Sequence, residues 1–410
     1  MTAVDAQMLW MSAVIPSDQI VLYAFDGAPD NPVAAVEELR RRAEACDELR
    51  LRVVDDGRWR YPRWCRGEIR DDQFVLHPPG GWAQCLDAAA GLVDDQVDLY
   101  QMAWRAHVFP HVSGLPGGVK PGSVVLVQFG HAYADGNRGA ALGGALLGRR
   151  QPAPVPVAPR RRFLPVLGFA AARAHRGLVR DTEAGLVPQA GPGRPVRSIN
   201  RRPAGTPVAR TVTLHRRQLS GATVTVGALV AISEALAGYL NARGEDPSQL
   251  GAEVPMALDL NPGGNNNFRN VGIGLHPDAD PVQRAELIAA ELAAQRRRGG
   301  HPAMLASARA SAAMPAALLR WGVGHFDPDA RSDTVTGNTV VSSVNRGPAD
   351  LSFGGFPVLF SAGYPALSPM MSLTHGVHGI GDTIAVSVHA DAANVDVDGY
   401  VERLRSALIT

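Results

Sequence analysis

The sequence predicts an α/β protein built of two units of similar size, and three observations carry that expectation. Apolar, β-branched runs of strand length alternate with longer stretches of helical spacing along the chain. The 410 residues exceed what one hydrophobic core usually organises. A Pro- and Arg-rich stretch, residues 151–207, separates one alternating unit over 1–150 from another over 208–410. With 46% hydrophobic and 19% charged residues the composition is that of an ordinary globular protein, and a formal net charge of +1 makes no overall electrostatic case for nucleic acid. Cys46, Cys65 and Cys85 show no CxxC spacing, which argues against a disulfide scaffold or a zinc site and suits a reducing cytoplasm. The opening MTAVDAQMLWMS has an early aspartate and no basic segment, unlike a secretory signal. No apolar run reaches the roughly eighteen residues that would predict a membrane span.

In the first unit, Asp5 to Ser12 reads as a short amphipathic helix, and Gln19 to Phe25 (QIVLYAF) as a buried strand closed by Asp26-Gly27. Pro32 to Cys46 places Val33, Val36, Leu39 and Ala43 on one helical face, with Pro32 suited to the first turn. Leu49 to Val54 and Trp59 to Trp64 flank Asp56-Gly57 as a hairpin. Trp82 to Val93 is helical, Trp104 to His111 and Ser123 to Phe129 are strands, and Asn137 to Leu147 is a helix of small residues.

The connector opens with QPAPVPVAP (151–159), an extended segment, followed by Arg160-Arg161-Arg162 and an apolar stretch from Phe163 to Ala172. One basic, apolar helix is expected here. It reads either as a crossover helix packed on one unit or as a contact with a membrane surface or lipid droplet, since cationic residues beside an apolar face favour anionic interfaces. In the second unit, strands are expected over Ala209 to Leu214, Ala252 to Leu258, Val335 to Val344, Phe356 to Ala362, Met371 to His378 and Thr383 to Ala390. Helices are expected over Thr223 to Arg243, Pro281 to Arg298, Ala303 to Trp321 and Asp398 to Leu408.

The chemistry concentrates where a strand ends. In VLVQFGHAYADG (125–136) a valine-rich run of this length is a strand buried on both faces, and leaving it through Gly130 puts His131 at its end, able to face a cleft. Histidine serves as a general base near neutral pH because its unperturbed pKa is about 6.5. Asp135 makes no hydrogen bond to it by spacing alone; turned inward, its carboxylate can bind an arginine and hold the loop, while Gly136 admits a backbone conformation closed to other residues. Taken alone, HxxxD is short and common, and a polar turn with a satisfied histidine explains it better.

The rest of the chain changes that balance. HAYADG after a buried strand resembles the HHxxxDG motif of the CoA-dependent acyltransferase superfamily, which includes chloramphenicol acetyltransferase and peptide-synthetase condensation domains. Further segments resemble, in order, those of the bacterial wax ester synthase/diacylglycerol acyltransferase family. VDAQMLW (4–10) is similar to its LDAxFL segment, AWRAHV (103–108) to its PLWE strand, Arg269 to Gly272 to its GN segment and SSVNRGP (342–348) to its SNVPGP turn. Tyr364-Pro365, His389-Ala390-Asp391 and the VDVD at 395–398 resemble its C-terminal region. Two departures stand out: the first motif histidine is Gly130, and the family's Asn-Asp pair falls at Thr225-Val226. The resemblance implies two chloramphenicol-acetyltransferase-like domains with a central channel between them, entered by acyl-CoA from one mouth and by an alcohol from the other. It implies His131 as the base that takes the acceptor proton and returns it to the leaving thiolate, Asp135 as a structural residue, and Gly130 and Gly136 as support for the motif. Asn270 is a candidate donor to the developing oxyanion, with Ser343 and Asn345 as weaker ones. Acyl-CoA is a substrate, and no cofactor is implied.

Other readings compete. His375, His378, His389 and Asp391 invite a metal, but HxxH in a Val- and Thr-rich strand sends its two imidazoles to opposite faces. Gly114 to Gly118 and Pro262-Gly263-Gly264 lack the arrangement of a phosphate loop, Asn265-Asn266-Asn267 reads as a turn, and no GxSxG elbow occurs. Two functions remain. One is an acyl-CoA-dependent O-acyltransferase acting on a long-chain alcohol or diacylglycerol, with a secondary-metabolite hydroxyl as the alternative acceptor. The other is a lipid- or acyl-binding relative without turnover, favoured by Gly130 and the missing Asn-Asp pair. The intact HxxxDG tips the balance to the enzyme.

Overall fold

The structure, a computed structural model, describes residues 1–149, 164–257 and 264–409. The strands are β1 (Gln19–Phe25), β2 (Phe74–Leu76), β3 (Trp104–Ser113), β4 (Gly122–Phe129), β5 (Pro207–His215), β6 (Gly251–Ala257), β7 (Phe268–Gly274), β8 (Thr339–Asn345), β9 (Phe356–Tyr364), β10 (Leu373–Ile380) and β11 (Thr383–Asp391). The first sheet runs Ser352–Phe353, β9, β1, β4, β3, β2, with Gly80–Gly81 also on β3; the second runs β7, β6, β8, β10, β11, β5. Every residue of β4 is buried, as its valine run implies. It pairs antiparallel with β1, Gln19 opposite Phe129, so the loop that leaves β4 emerges beside the start of β1.

The boundary between the units is not a boundary between the sheets. β9 belongs to the stretch 208–410 by sequence, yet it lies in the first sheet, with Ile20 opposite Tyr364 and Phe25 opposite Val358. The physical reason is that β1 is buried over all but its first residue and needs hydrogen-bonding partners on both edges. Composition shifts do not reveal that pairing. The two sheets then meet backbone to backbone: a Cβ on Gly376 of β10 would sit 2.0 Å from the Gly363 carbonyl of β9.

Ten helices are described: α1 (Ala3–Met11), α2 (Pro32–Glu44), α3 (Trp82–Gly91), α4 (Gly136–Leu146), α5 (Leu164–Glu183), α6 (Val224–Asn241), α7 (Pro281–Gly299), α8 (Pro302–Ala312), α9 (Ala316–Gly324) and α10 (Val397–Ile409). α6 is long and apolar enough by length and composition to cross a membrane, but Leu229, Ile232 and Leu236 are fully buried in the core of the second unit. The single helix expected over 303–321 is two, because Pro315 stands at the N-cap of α9 and cannot continue the helix before it. β7 was not anticipated as a strand, since its exposed Arg269 and Asn270 break the apolar pattern. α4 lies close on the first sheet through its small residues: a Cβ on Gly143 would come within 2.4 Å of the Tyr23 hydroxyl.

The connector helix expected near Phe163 to Ala172 is α5. Its C-terminal part is tied to the second unit by Leu178, which is buried, by Arg298 donating to the Thr182 hydroxyl at 3.2 Å, and by His301 against Asp181 at 3.3 Å. Its N-terminal part leaves Val166 and Phe169 exposed. Residues 151–162, with the Pro-rich run and Arg160 to Arg162, lie outside the described residues.

Candidate active site

A cavity of about 400 Å³ opens between the two units. From the first unit it is lined by His131 and Asp135 of the loop after β4; from the second, by Asn270 of β7, Ser343 of β8, Arg346 just beyond it and His378 of β10. His131 is where the end of the buried strand should put it.

The sequence did not reveal what orients its ring. His131 Nδ1 lies 3.1 Å from Oδ1 of Asn266. The Asn266 amide nitrogen donates to Asp5 Oδ1 at 3.1 Å and to the His131 carbonyl at 3.0 Å, which leaves Oδ1 as the atom facing the imidazole. An amide oxygen only accepts, so Nδ1 carries the proton and Nε2 keeps its lone pair. Asp5, from α1, anchors the arrangement: its carboxylate accepts from the Asn266 backbone N–H at 3.1 Å, from the Asn265 N–H and from the Thr2 hydroxyl at 2.7 Å. Burial raises the Asp5 pKa, against the lowering effect of these hydrogen bonds. The Asn265-Asn266-Asn267 run, read from sequence as a turn, is thus the second wall of the site. The only signals for it were three consecutive amides and an early Asp-Ala within a segment that resembles LDAxFL.

Asp135 does not touch His131. Its Oδ1 accepts from the Arg138 N–H at 2.9 Å and so caps α4, and its Oδ2 accepts from the Asn267 N–H at 3.0 Å. The carboxylate therefore ties the histidine loop to the asparagine run across the two units, through backbone groups where an arginine side chain was anticipated. Gly136 is not at positive φ; a side chain there would collide with Val344, whose Cγ2 lies 2.8 Å from an added Cβ. A Cβ on Gly130 would lie 2.6 Å from Leu99 Cδ2, so Leu99 fills the room that the first motif histidine would need.

Of the proposed oxyanion donors, Asn270 and Ser343 line the cavity. The Asn270 amide already gives one hydrogen to Glu253 Oε1, leaving one, and the Ser343 hydroxyl shares a 2.8 Å bond with Thr225 at the start of α6. Asn345 does not qualify: it is exposed, outside the cavity lining, and its Oδ1 accepts from the Gly347 N–H at 2.9 Å. Reading SSVNRGP as one turn placed Asn345 with Ser343, but alternation along β8 separates them from a common wall only beyond Val344, where the strand ends.

Burial pushes the His131 imidazole below its ordinary pKa, offset in part by its hydrogen bond to Asn266, so it is neutral at pH 7 and able to accept a proton. Asp18, also in the lining, is raised to about 6 by burial although it accepts from the Val97 N–H and the Gln128 amide. The remaining histidines of the metal hypothesis have separate surroundings. His375 bonds Thr339 Oγ at 2.9 Å and the Tyr400 hydroxyl at 2.6 Å, and His389 Nδ1 meets the Pro365 carbonyl at 2.9 Å. Among the described residues no three His, Cys, Asp or Glu are grouped to hold a metal.

Residues 265–410, from the asparagine run to the end of the chain, match the family described as the WS/DGAT C-terminal domain. The whole fold is similar to the wax ester synthase/diacylglycerol acyltransferase from Marinobacter aquaeolei VT8, with 16% identity, a TM-score of 0.59, and coverage of 99% of this chain and 96% of that one. It is similar also to the starter condensation domain of rhizomide synthetase, solved as a mutant with C8-CoA, at 16% identity and a TM-score of 0.56, covering 100% of this chain and 92% of that one. No curated protein sequence matches. At such identities the structural likeness speaks for the fold, and the family match adds support for an acyltransferase. The chain has the two-domain fold of the CoA-dependent acyltransferase superfamily, and its residues 265–410 carry the C-terminal domain of the wax ester synthase/diacylglycerol acyltransferase family.

Proposed function

We propose that the protein is an acyl-CoA-dependent O-acyltransferase with His131 as its general base. The observation that carries this reading is the imidazole in the cavity between the two units, held by Asn266 as the tautomer whose Nε2 is free to accept. The acceptor hydroxyl attacks the thioester carbonyl while Nε2 takes its proton. The tetrahedral oxyanion collapses, the thiolate leaves, and the imidazolium returns the proton to it. General base catalysis of this kind contributes about 10² to 10⁴-fold, and holding both substrates beside one ring contributes separately. The remaining N–H of Asn270 and the Ser343 hydroxyl are the donors on hand for the oxyanion. Use of acyl-CoA is supported by the rhizomide synthetase domain of the same fold, which was solved with C8-CoA. Long-chain alcohols and diacylglycerol, giving wax esters and triacylglycerol, are the first acceptors to try. The test is to mix purified protein with palmitoyl-CoA and a panel of alcohols and follow thiol release and ester by mass spectrometry. Ester that disappears in His131→Ala supports the reading; turnover retained in that variant removes His131 as the base.

A second reading, an acyl-binding protein without turnover, draws on Leu99 in the place of the first motif histidine. Acyl-CoA bound with no ester from any acceptor would favour it. Contact with a membrane or lipid droplet through α5 rests on exposed Val166 and Phe169 beside Arg173 and Arg176, and flotation with anionic vesicles tests it.

A further inference from the structure

At the opposite wall of the cavity from His131 lies a cation without an anion. Arg346 is 3% exposed. Its Nη1 donates to the Gly136 carbonyl at 3.2 Å, and its Nη2 approaches His378 Nε2 at 3.5 Å. Its Nε has no partner, and the only group that offsets its burial electrostatically is the phenol of Tyr23. His378 is equally buried. Because its Nε2 faces a guanidinium, which only donates, its proton sits on Nδ1, and that atom has no partner either. The Tyr23 hydroxyl nearby is a third buried group without one.

An arginine that merely pins a loop looks different in this same neighbourhood. Arg149 forms an ion pair with Asp350 at 2.6 Å and donates to the carbonyls of Arg346 and Pro348. The 345–350 turn is therefore already anchored, and Arg346 is left over. A buried charge with no counterion and two adjacent orphaned donors is costly to fold unless another molecule completes it.

We infer that Arg346, together with the Nδ1–H of His378, receives a carboxylate carried by the substrate away from its reacting end. The inference rests on reading the cavity as an acyl-transfer site and narrows what that site takes. A carboxylate supplies one negative charge and two acceptor oxygens matched to the guanidinium fork. Ile20, Val21, Val344 and Leu367 line the same cavity and suit an aliphatic body between the two ends. Neither a fatty alcohol nor diacylglycerol offers such a group. The carboxylate can arrive on a hydroxy acid acceptor or on an acyl group with a terminal carboxyl.

Calorimetric titration of the purified protein separates the two sources. The acceptor arm compares 10-hydroxydecanoate with its methyl ester; the donor arm compares the mono-CoA thioester of decanedioic acid with decanoyl-CoA. In one arm the acid binds at least about tenfold more tightly than its neutral counterpart, the effect of a charge-assisted hydrogen bond. That preference vanishes in Arg346→Met and survives in part in Arg346→Lys. Arg346→Met does not lower the Tm, because replacing an unpaired buried charge by an apolar side chain is neutral or stabilising. Equal binding of acid and neutral partner in both arms of the wild type overturns the inference, as does no binding in either arm or an unchanged preference in Arg346→Met. Ester formed from neutral alcohols without any acid preference would leave the acyltransferase reading standing and sink this one. Arg346-dependent acid binding with no ester from any acceptor would do the reverse.

Discussion

The two ends of the cavity are both polar and both buried, and they differ in whether their polar atoms have partners. At the His131 end, Thr2, Asp5, Asn265, Asn266, Asp135 and Asn267 interlock through hydrogen bonds from both units, so the imidazole has one ring position and one tautomer. At the Arg346 end, the guanidinium Nε, the His378 Nδ1 and the Tyr23 hydroxyl point to nothing in the protein. A saturated network is what a proton-transferring group requires, since its geometry must be set before the substrate arrives. Orphaned donors are what a recognition group looks like before its ligand completes it. The difference teaches that one cavity can hold preorganised chemistry and unfinished binding a few side chains apart.

The largest effect expected is at the saturated end. His131→Ala should lower turnover by about 10² to 10⁴-fold with little change in Tm, because the ring lines an open cavity and only its hydrogen bond to Asn266 is lost. Steady-state rates and a thermal melt check both halves of that statement. Next comes Asn266→Ala, which leaves Asp5 and the His131 carbonyl short of a donor. It should cost about 1–3 kcal/mol of stability and lower kcat more than KM, read by denaturant melts beside kinetics. Were Asn266→Ala to leave both stability and kcat untouched, the contrast between the two ends would collapse. Asp135→Ala follows, losing the cap on α4 and the link to Asn267, at about 1 kcal/mol for the cap alone. Gly130→Ala should be destabilised through its collision with Leu99 and recovered by adding Leu99→Ala, which chemical denaturation can measure.

How much of this could be read from the sequence depends on the range of the interaction. β4 and the exit of His131 are local consequences of a valine run ended by glycine, and both stand where expected. The edges of β1, β9 and β10 were also legible, because apolar, β-branched runs mark them. What the sequence hid is pairing across distance. β9 joins the first sheet across more than three hundred residues of chain, as Ile20 opposite Tyr364 shows, and no local pattern encodes it. Asp5 and Asn266 likewise meet at a sequence separation of 261. Neither carries an apolar period that would betray it, so Asn266 looked like part of a turn. Arg346 was visible only as a charged residue in SSVNRGP, and burial, the property that makes it informative, arises only once α4, β8 and β10 have packed around it.

Acid pH offers the finest test of the contrast, because both ends hold a histidine that burial keeps neutral. For His131 the readout is rate. Its pKa is held below the ordinary value by burial, so kcat/KM should be flat above about pH 6.5 and fall only as pH drops below that, when the protonated ring can no longer accept the acceptor's proton. For His378 the readout is stability. Its pKa lies well below the ordinary value through burial and the adjacent Arg346 charge, so the folded protein refuses a proton that the unfolded chain takes up below about pH 6.5. Its share of stability is therefore complete above that pH and is lost as pH falls. His375, held at about 3 by burial, acts in the same direction, while Asp18, raised to about 6, opposes both because it favours the folded state only where it stays protonated. Melts at pH 7.5 and 5.0 should show a smaller loss for His378→Gln than for wild type, and no such change for His131→Gln if its ring opens to the cavity as the geometry has it. A loss at His131 as steep as that at His378 would mean that the imidazole is sealed from the cavity, and that the end with every partner in place serves the fold before it serves any substrate.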